Sequence, residues 1–90
     1  MPERRVTVGS KVGLHARPAA LFVQAAARQP VKVTIAKDGK APADARSILA
    51  VLALDARGGE EVVLRAEDSD QAEAALDELA TVVATDHDAT

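Results

Sequence analysis

The sequence predicts an α+β fold in which a four-stranded sheet is covered on one face by helices. Four short segments alternate apolar and polar residues with the period of a half-buried strand, and three others carry apolar residues at helical spacing. These segments follow one another in the order β-α-β-β-α-β-α. Because strands of this kind bury only one side, the helices must cover the apolar face, and two layers result.

The first strand and the first helix are predicted from alternation and from a proline. Residues 4–9 place Val6 and Val8 on one face, as in a half-buried strand. Residues 16–28 then repeat apolar side chains at helical spacing. Pro18 supports a helix start near residue 16, because its missing N–H falls in the first turn, where backbone amides lack helical partners.

A hairpin is predicted next. Residues 31–35 alternate as a second strand, and the dipeptide Asp38-Gly39 is a turn signal. A short third strand is expected at residues 40–42. Pro42 predicts an edge position for it, since proline cannot donate to a central ladder.

The last three elements are a short helix, a strand and a longer helix. Residues 48–54 form a short apolar run that favours a helix with Ser47 as its N-cap. Residues 61–66 alternate as the fourth strand. Ser69 and Asp70 are expected to cap the last helix, with Asp70 and Glu73 at capping-box spacing; its predicted buried stripe is Ala72, Leu76, Leu79 and Val83.

Chirality predicts how these elements connect. A right-handed helical crossover makes the first and second strands parallel to each other. The fourth strand, inserted between them, would give every strand antiparallel neighbours. The predicted strand order is therefore 1-4-2-3.

Composition excludes several classes of function. The 90 residues carry a net charge of −3, with one Phe and neither Trp nor Tyr, which disfavours phosphate-backbone binding and base stacking. The lack of cysteine excludes disulfides, thiol catalysis and thiolate metal sites. No apolar signal core or membrane-length run follows the N-terminal residues, so we expect a soluble intracellular protein with no nucleic-acid partner and no membrane insertion.

The candidate site lies between the first strand and the first helix, where residues 13–18 read Gly-Leu-His-Ala-Arg-Pro. The start of a helix leaves backbone N–H groups unpaired and carries a partial positive charge. His15 falls at or near the N-cap, and Arg17 follows two residues later. A phosphate fits such a position, and we predict that His15 carries a phosphoryl group.

The motif and its surroundings resemble the histidine-containing phosphocarrier proteins, HPr, of the bacterial phosphoenolpyruvate:sugar phosphotransferase system. The resemblance extends over nearly the whole chain, with matching element order and length. It implies a two-layer open-faced β-sandwich of strand order 1-4-2-3, with three helices on one face. We accordingly expect one HPr-like domain over residues 1–90, frayed at about 85–90, that is cytoplasmic and monomeric. The resemblance rests on residues 13–19, Asp38-Gly39, residues 47–49, Gly59 and the final amphipathic helix.

The resemblance also implies a relay. Enzyme I would pass phosphate from phosphoenolpyruvate to Nδ1 of His15, and sugar-specific enzyme IIA proteins would receive it. Arg17 and the backbone amides of Ala16 and Arg17 would stabilise the phosphate. A positive helix end and Arg17 favour the neutral imidazole, which is the nucleophile. The chain would then be a covalent carrier without cofactor or metal, and not an enzyme that turns over a substrate by itself.

A docking surface is expected where the first helix meets the second. Its predicted apolar residues are Ala16, Ala20, Ile48, Leu49 and Leu52, and its predicted basic rim is Arg17, Arg28 and Arg46. Such a patch suits acidic partners by charge complementarity. The family uses the matching region for both enzyme I and enzyme IIA.

Ser47 has two compatible interpretations. As an N-cap it needs no further role. In some bacteria, however, a dedicated kinase phosphorylates the matching serine, which would place negative charge within the docking surface and repel enzyme I. A regulatory phosphorylation of Ser47, with a serine kinase or phosphorylase as a further partner, therefore stays open.

Two positions depart from the family pattern. Val12 stands where a small polar residue is common, which removes a group that can help to order the phosphate. Whether the preceding Lys11 supplies a charge in its place stays open. Asp55 stands where a glycine often ends the second helix. Because Asp tolerates the left-handed backbone conformation, we expect that second change to cost little.

Two other functions are weighed against the carrier. An HPr-like regulatory module would bind a transcription factor or enzyme according to its phosphorylation state, but such a module could dispense with His15 and Arg17. A self-contained hydrolase is disfavoured, because the sequence places no second base beside His15. His87, between two aspartates in the tail, is expected to be solvated, since a flexible tail does not preorganise metal ligands.

Overall fold

The structure, a computed structural model, describes residues 2–85. Seven elements follow in the predicted order. Their bounds are Glu3–Thr7 (β1), Ala16–Ala27 (α1), Val33–Lys37 (β2), Ala43–Asp44 (β3), Ile48–Ala53 (α2), Glu61–Ala66 (β4) and Ala72–Ala84 (α3). His87 lies outside the described residues.

The four strands form one antiparallel sheet in the order β1-β4-β2-β3, which confirms the predicted topology. In the central pairings, Val6 lies opposite Val62 and Ile35 lies opposite Leu64. All three helices pack on the face that these apolar residues share. The structure therefore has the two predicted layers, with the other sheet face left open.

The hydrophobic core fills the space between the sheet and the helices. Phe22 of α1 is fully buried, as are Leu64 of β4 and Leu76 of α3. Ala19, Ala25 and Ala26 of α1 are all buried. Because their side chains are small, α1 can pack closely against its neighbours. The predicted stripe of α3 is buried as well, which confirms that this helix faces the sheet.

The open face of the sheet carries charged side chains. Arg5 of β1 pairs with Glu61 of β4 at 3.1 Å, and Arg65 of β4 pairs with Glu3 of β1 at 3.4 Å. Opposite charges facing one another across strands satisfy this solvated surface. A polar face of this kind explains why the strands alternate.

The hairpin differs from its prediction. The third strand is Ala43–Asp44 and not residues 40–42, because the amide of Lys40 closes a turn onto the carbonyl of Lys37. Pro42 lacks an N–H and delays the pairing further. The second strand correspondingly begins at Val33, two residues later than expected.

The predicted capping box of α3 is wrong. The helix begins at Ala72, so Gln71 occupies the N-cap position and its side chain forms no cap. Glu73 instead pairs with Arg4 of β1 at 3.0 Å. The same arginine also pairs with Asp77. The hydroxyl of Ser69 accepts from the amide of Gln71 and stabilises the turn before the helix.

Candidate functional site

The loop before α1 is held in place by the loop after α2. The amide of Leu14, which is buried, donates to the carbonyl of Ala56 at 2.8 Å. Gly13 donates to the carbonyl of Ser10 at 3.0 Å and adopts a φ of +75°. A Cβ at Gly13 would lie 2.3 Å from the carbonyl oxygen of Ala56, so only glycine permits this approach. The position of His15, which follows Leu14, is therefore set by a rigid backbone contact.

His15 is the N-cap residue of α1, as predicted, with extended backbone angles. Its side chain is about 40% exposed, and its Nε2 atom lies 3.1 Å from Oδ1 of Asp55. Within residues 2–85, no group hydrogen-bonds Nδ1. One ring nitrogen is therefore occupied and the other is open to an incoming group.

Asp55 is the site residue whose role the sequence did not reveal. It follows α2 with a φ of 52°, which confirms that an aspartate occupies the left-handed position here. Its carboxylate accepts from Nε2 of His15 and also from Arg57, whose Nη2 lies 3.2 Å from Oδ2. The hydrogen bond from His15, followed by that from Arg57, holds the pKa of the Asp55 carboxyl below its ordinary value. The sequence shows an acidic residue at a helix end, but not that it meets a histidine 40 positions away.

The backbone around Asp55 is anchored by a second pair of charges. Nζ of Lys37 donates to the carbonyl oxygen of Asp55 at 2.8 Å and to Oε1 of Glu60 at 3.1 Å. The same Glu60 oxygen accepts from the amide of Arg57 at 2.7 Å. The bond from the Arg57 amide, and after it the Lys37 bond, lower the pKa of Glu60. This network holds the loop that presents Asp55 to His15.

The first turn of α1 offers hydrogen-bond donors beside His15. Amides in the first turn have no helical partners, and Pro18 has no N–H, so the free donors are those of Ala16 and Arg17. Neither donates to another backbone group of residues 2–85. Ala16 has a φ of 50°, a strained conformation for a residue with a Cβ. The strain lies next to the proposed acceptor, where such conformations often have a functional role.

Arg17 is exposed, and its guanidinium forms no ion pair with an acidic side chain of residues 2–85. The other two arginines of the predicted rim are engaged. Arg28 pairs with Glu78 of α3 at 3.5 Å, and Arg46 donates to the carbonyls of Gln29 at 3.1 Å and Val31 at 3.4 Å. Of these three guanidinium groups, Arg17 is the one left available for an anion.

The predicted docking surface is accessible to solvent. Leu49 is 78% exposed and Ile48 39% exposed at the start of α2. Ala16 is exposed, and both Ala20 and Leu52 are half-buried. Val12, in the loop before the site, is 52% exposed and is a third large exposed hydrophobic residue that the prediction did not include.

Ser47 caps α2, as its simpler interpretation predicts. Its Oγ accepts from the amide of Ala50 at 3.2 Å, and its own backbone is extended. The side chain is half-buried at the edge of the exposed apolar residues. A cap in this position fixes where α2 begins and therefore where Ile48 and Leu49 point.

A histidine without a partner on one ring nitrogen, beside free amides and an unpaired guanidinium at the start of a helix, is the arrangement that a phosphoryl-accepting histidine requires. Comparison with known proteins then gives the family. Residues 2–85 match the family model PTS-HPr, described as the PTS HPr component phosphorylation site. This chain belongs to the HPr family of phosphocarriers.

Individual relatives agree with that assignment. The chain is 60% identical over 84 residues to the phosphocarrier protein HPr of Streptomyces coelicolor, covering 93% of this chain and 89% of the relative. The crystal structure of HPr from Bacillus anthracis has a TM-score of 0.84 at 44% identity, covering 91% of this chain and 95% of that one. Crh of Bacillus subtilis, whose crystal structure is described as a domain-swapped dimer, has a TM-score of 0.70 at 43% identity, covering 92% and 93%.

No helix within residues 2–85 is long and apolar enough to cross a membrane. The same residues contain no group of three or more His, Cys, Asp or Glu side chains that could hold a metal ion.

Proposed function

We propose that this chain accepts a phosphoryl group from enzyme I on Nδ1 of His15 and donates it to sugar-specific enzyme IIA proteins. The proposal rests on the different surroundings of the two ring nitrogens. Nε2 lies next to Asp55, whereas Nδ1 has no hydrogen-bond partner within residues 2–85. The His15 side chain is about 40% exposed, so a partner's phosphohistidine can approach it.

The transfer itself needs little from the carrier besides position and charge. The Nδ1 lone pair attacks phosphorus, the bond from phosphorus to the donor nitrogen breaks, and its electron pair stays with the donor. Arg17 and the amides of Ala16 and Arg17 meet the negative charge that arrives. The exchange is reversible, because one phosphohistidine replaces another.

Partner binding is proposed at the exposed start of α2 and the adjoining side of α1. Leu49 and Ile48 supply apolar contact area, and Arg17 supplies a positive charge for an acidic partner. A surface this small suits weak and fast complexes, which a relay between several partners requires.

We further propose that the protein acts in the cytoplasm as a monomer of one domain. β1 pairs along its whole length with β4 of the same chain, so the sheet is complete without a second copy. Light scattering should give a mass near the 9.3 kDa of one chain. Twice that mass at low protein concentration would show a dimer like that described for the Crh crystal.

A phosphorylation assay tests the carrier. The protein is incubated with enzyme I, Mg²⁺ and phosphoenolpyruvate, and an acid-labile, alkali-stable phosphate is expected. His15→Ala should abolish the label, whereas His87→Ala, which removes the other histidine, should keep it. An unlabelled wild-type protein, or a labelled His15→Ala variant, would disprove the carrier assignment.

A regulatory role is the second candidate, and the similarity to Crh is what favours it. A regulatory module would bind its target without passing phosphate on. Adding enzyme IIA to the phosphorylated protein separates the two functions, since the carrier loses its label to enzyme IIA and the regulatory module keeps it.

A further inference from the structure

Asp55 makes a contact with His15 that the phosphocarrier assignment does not explain. Oδ1 lies 3.1 Å from Nε2 of the ring, Oδ2 is held by Arg57 at 3.2 Å, and the backbone carbonyl of Asp55 is held by Lys37 at 2.8 Å. Three contacts therefore fix both the carboxylate and the chain that bears it. An aspartate whose only role was to end α2 would need none of them.

The direction of the hydrogen bond follows from the charge of the carboxylate. An aspartate carboxyl is ionised at neutral pH even at its ordinary pKa, and the bonds from His15 and then Arg57 lower the pKa of Asp55 further. An ionised carboxylate can only accept hydrogen bonds. The shared proton therefore belongs to Nε2, and Nδ1 carries the lone pair.

We propose that Asp55 is a positioning residue for phosphoryl transfer, which holds the proton on Nε2 of His15 both before and after Nδ1 is phosphorylated. The inference rests on the proposed function and adds to it a residue of this chain. It parallels the way a buried aspartate orients a catalytic histidine through its other nitrogen.

The consequence for the reaction concerns the charge of the ring. When the Nδ1 lone pair forms the bond to phosphorus, the imidazole becomes positively charged while the proton stays on Nε2, shared with Asp55. The carboxylate stabilises that charge as phosphate arrives. In the return step the electron pair of the N–P bond goes back to Nδ1, and a ring that has kept its proton is the better leaving group. Asp55 therefore assists both directions of transfer.

Other charged groups around this pair act on the same proton. Arg57 and Lys37 both contact Asp55, and Glu60 contacts Lys37. Arg17 stands at the start of α1, two residues from His15. The positive groups oppose protonation of the ring, so the carboxylate is what keeps the proton on Nε2.

Two variants separate the charge of Asp55 from its shape. Asp55→Gly removes the carboxylate at a position where a φ of 52° suits glycine. Asp55→Asn keeps an oxygen that can accept from Nε2 and tolerates the same backbone, but it is neutral. Asp77→Asn is the matched control, since it removes a carboxylate from an ion pair with Arg4 that does not involve His15. Urea unfolding verifies that all three variants are folded.

The experiment phosphorylates each protein with phosphoramidate, a small donor that needs no partner protein, and follows the His15 nitrogens by ¹⁵N NMR as the pH is raised. We expect phosphate on Nδ1 of the wild type. The Nε2 proton should be lost at a pH lower by roughly 0.5 unit in Asp55→Gly, as for a partly exposed ion pair. The pH at which Asp55→Asn loses this proton should lie between those of the wild type and Asp55→Gly. Asp77→Asn should lose it at the same pH as the wild type.

The outcomes distinguish this inference from the carrier proposal. Equal pH midpoints for the wild type and Asp55→Gly, phosphate on Nε2 of the wild type, or a wild type that phosphoramidate leaves unmodified would each overturn the role of Asp55. If enzyme I still labels the wild type on His15, the carrier role survives that failure, and phosphate on Nε2 would overturn only its assignment to Nδ1. If enzyme I does not label it, the carrier proposal fails while the NMR titration still decides the role of Asp55.

Discussion

At the scale of single residues, the two sides of the His15 ring have different surroundings. One nitrogen faces a fixed carboxylate, and the other, at the start of a helix, has no hydrogen-bond partner within residues 2–85. A phosphoryl carrier needs both features, because the nucleophile must be free while the ring is held in one orientation. Arg17 adds a positive charge that forms no ion pair with a carboxylate of residues 2–85.

Arg17→Ala should slow phosphorylation of His15 and transfer to enzyme IIA by roughly 10- to 100-fold, because a charge-assisted donor to the phosphate is lost. The free energy of unfolding should hardly change, since the side chain is exposed. Quench-flow measurement of both steps checks this. Arg28→Ala is the matched control: it removes the same charge from the C-cap of α1, where the guanidinium already pairs with Glu78. Equal slowing by both variants would show an effect of net charge alone.

Single residues were predicted from the sequence where their chemistry depends on near neighbours. The N-cap position of His15 and the nearby Arg17 follow from a local motif. The contact with Asp55 does not, because it joins residues 40 positions apart through the tertiary fold. For Arg28 and Arg46, long flexible side chains found acceptors on other elements, and no local pattern indicates those partners.

At the scale of elements, the shortest helix has a large effect on the proposed docking surface. α2 has six residues, and a helix of this length depends on its cap and its packing. The Ser47 side chain supplies the cap, and Val51 is buried against the core. Ile48 and Leu49 then remain exposed, where partners reach them.

Variants at Ser47 separate capping from charge. Ser47→Ala should lower the free energy of unfolding by about 1 kcal/mol, because the amide of Ala50 loses its acceptor. Ser47→Asn and Ser47→Asp both retain a capping oxygen and should stay close to wild type in urea unfolding. Affinity for enzyme I, measured by calorimetry, should fall in Ser47→Asp and not in Ser47→Asn. A similar fall in both would mean that the hydroxyl itself, and not negative charge, governs binding.

The docking surface is tested at Leu49, whose side chain is 78% exposed. Leu49→Glu should weaken enzyme I binding by roughly 10-fold or more, because an apolar contact is replaced by a charge that an acidic partner repels. Thermal unfolding should be nearly unchanged. Ala74→Glu, at an exposed position of α3, is the control for added charge. Unaltered affinity in a folded Leu49→Glu protein would exclude this surface.

Element types were predicted better than element ends. Alternation and helical spacing are summed over many residues, so they gave the order of all seven elements. The ends depend on single interactions. β3 begins after Pro42 because that residue cannot pair, and α3 begins at Ala72, after a turn in which Ser69 accepts from the amides of Gln71 and Ala72.

At the scale of the whole molecule, the strand order explains why the site exists. β4 lies beside β1, so the loop that leaves β1 and the loop that enters β4 run along each other. Val8 donates to the carbonyl of Glu60 at 2.8 Å, and Gly59 donates back to the carbonyl of Val8 at 2.9 Å. His15 lies beyond one loop and Asp55 at the start of the other. Their contact therefore depends on the sheet topology.

A pair of glycine variants tests this dependence. Gly13 and Gly39 have similar φ values, +75° and +83°, so alanine at either one introduces similar backbone strain of about 1 kcal/mol. A Cβ at Gly39 meets no atom within 4 Å, whereas at Gly13 it would press against the carbonyl of Ala56. Gly13→Ala should therefore lose roughly 1–3 kcal/mol more than Gly39→Ala in urea unfolding, since the two loops must separate.

The same two variants connect the loop contact to phosphoryl transfer. Separation of the loops moves His15 away from Asp55, so a Gly13→Ala protein that is still folded should accept phosphate from enzyme I more slowly, while Gly39→Ala should match the wild type. Equal losses of stability would show that backbone strain, and not the approach of the two loops, is what Gly13 relieves. A normal phosphorylation rate in folded Gly13→Ala would show that His15 is positioned by α1 alone, independently of the strand order that brings Asp55 to it.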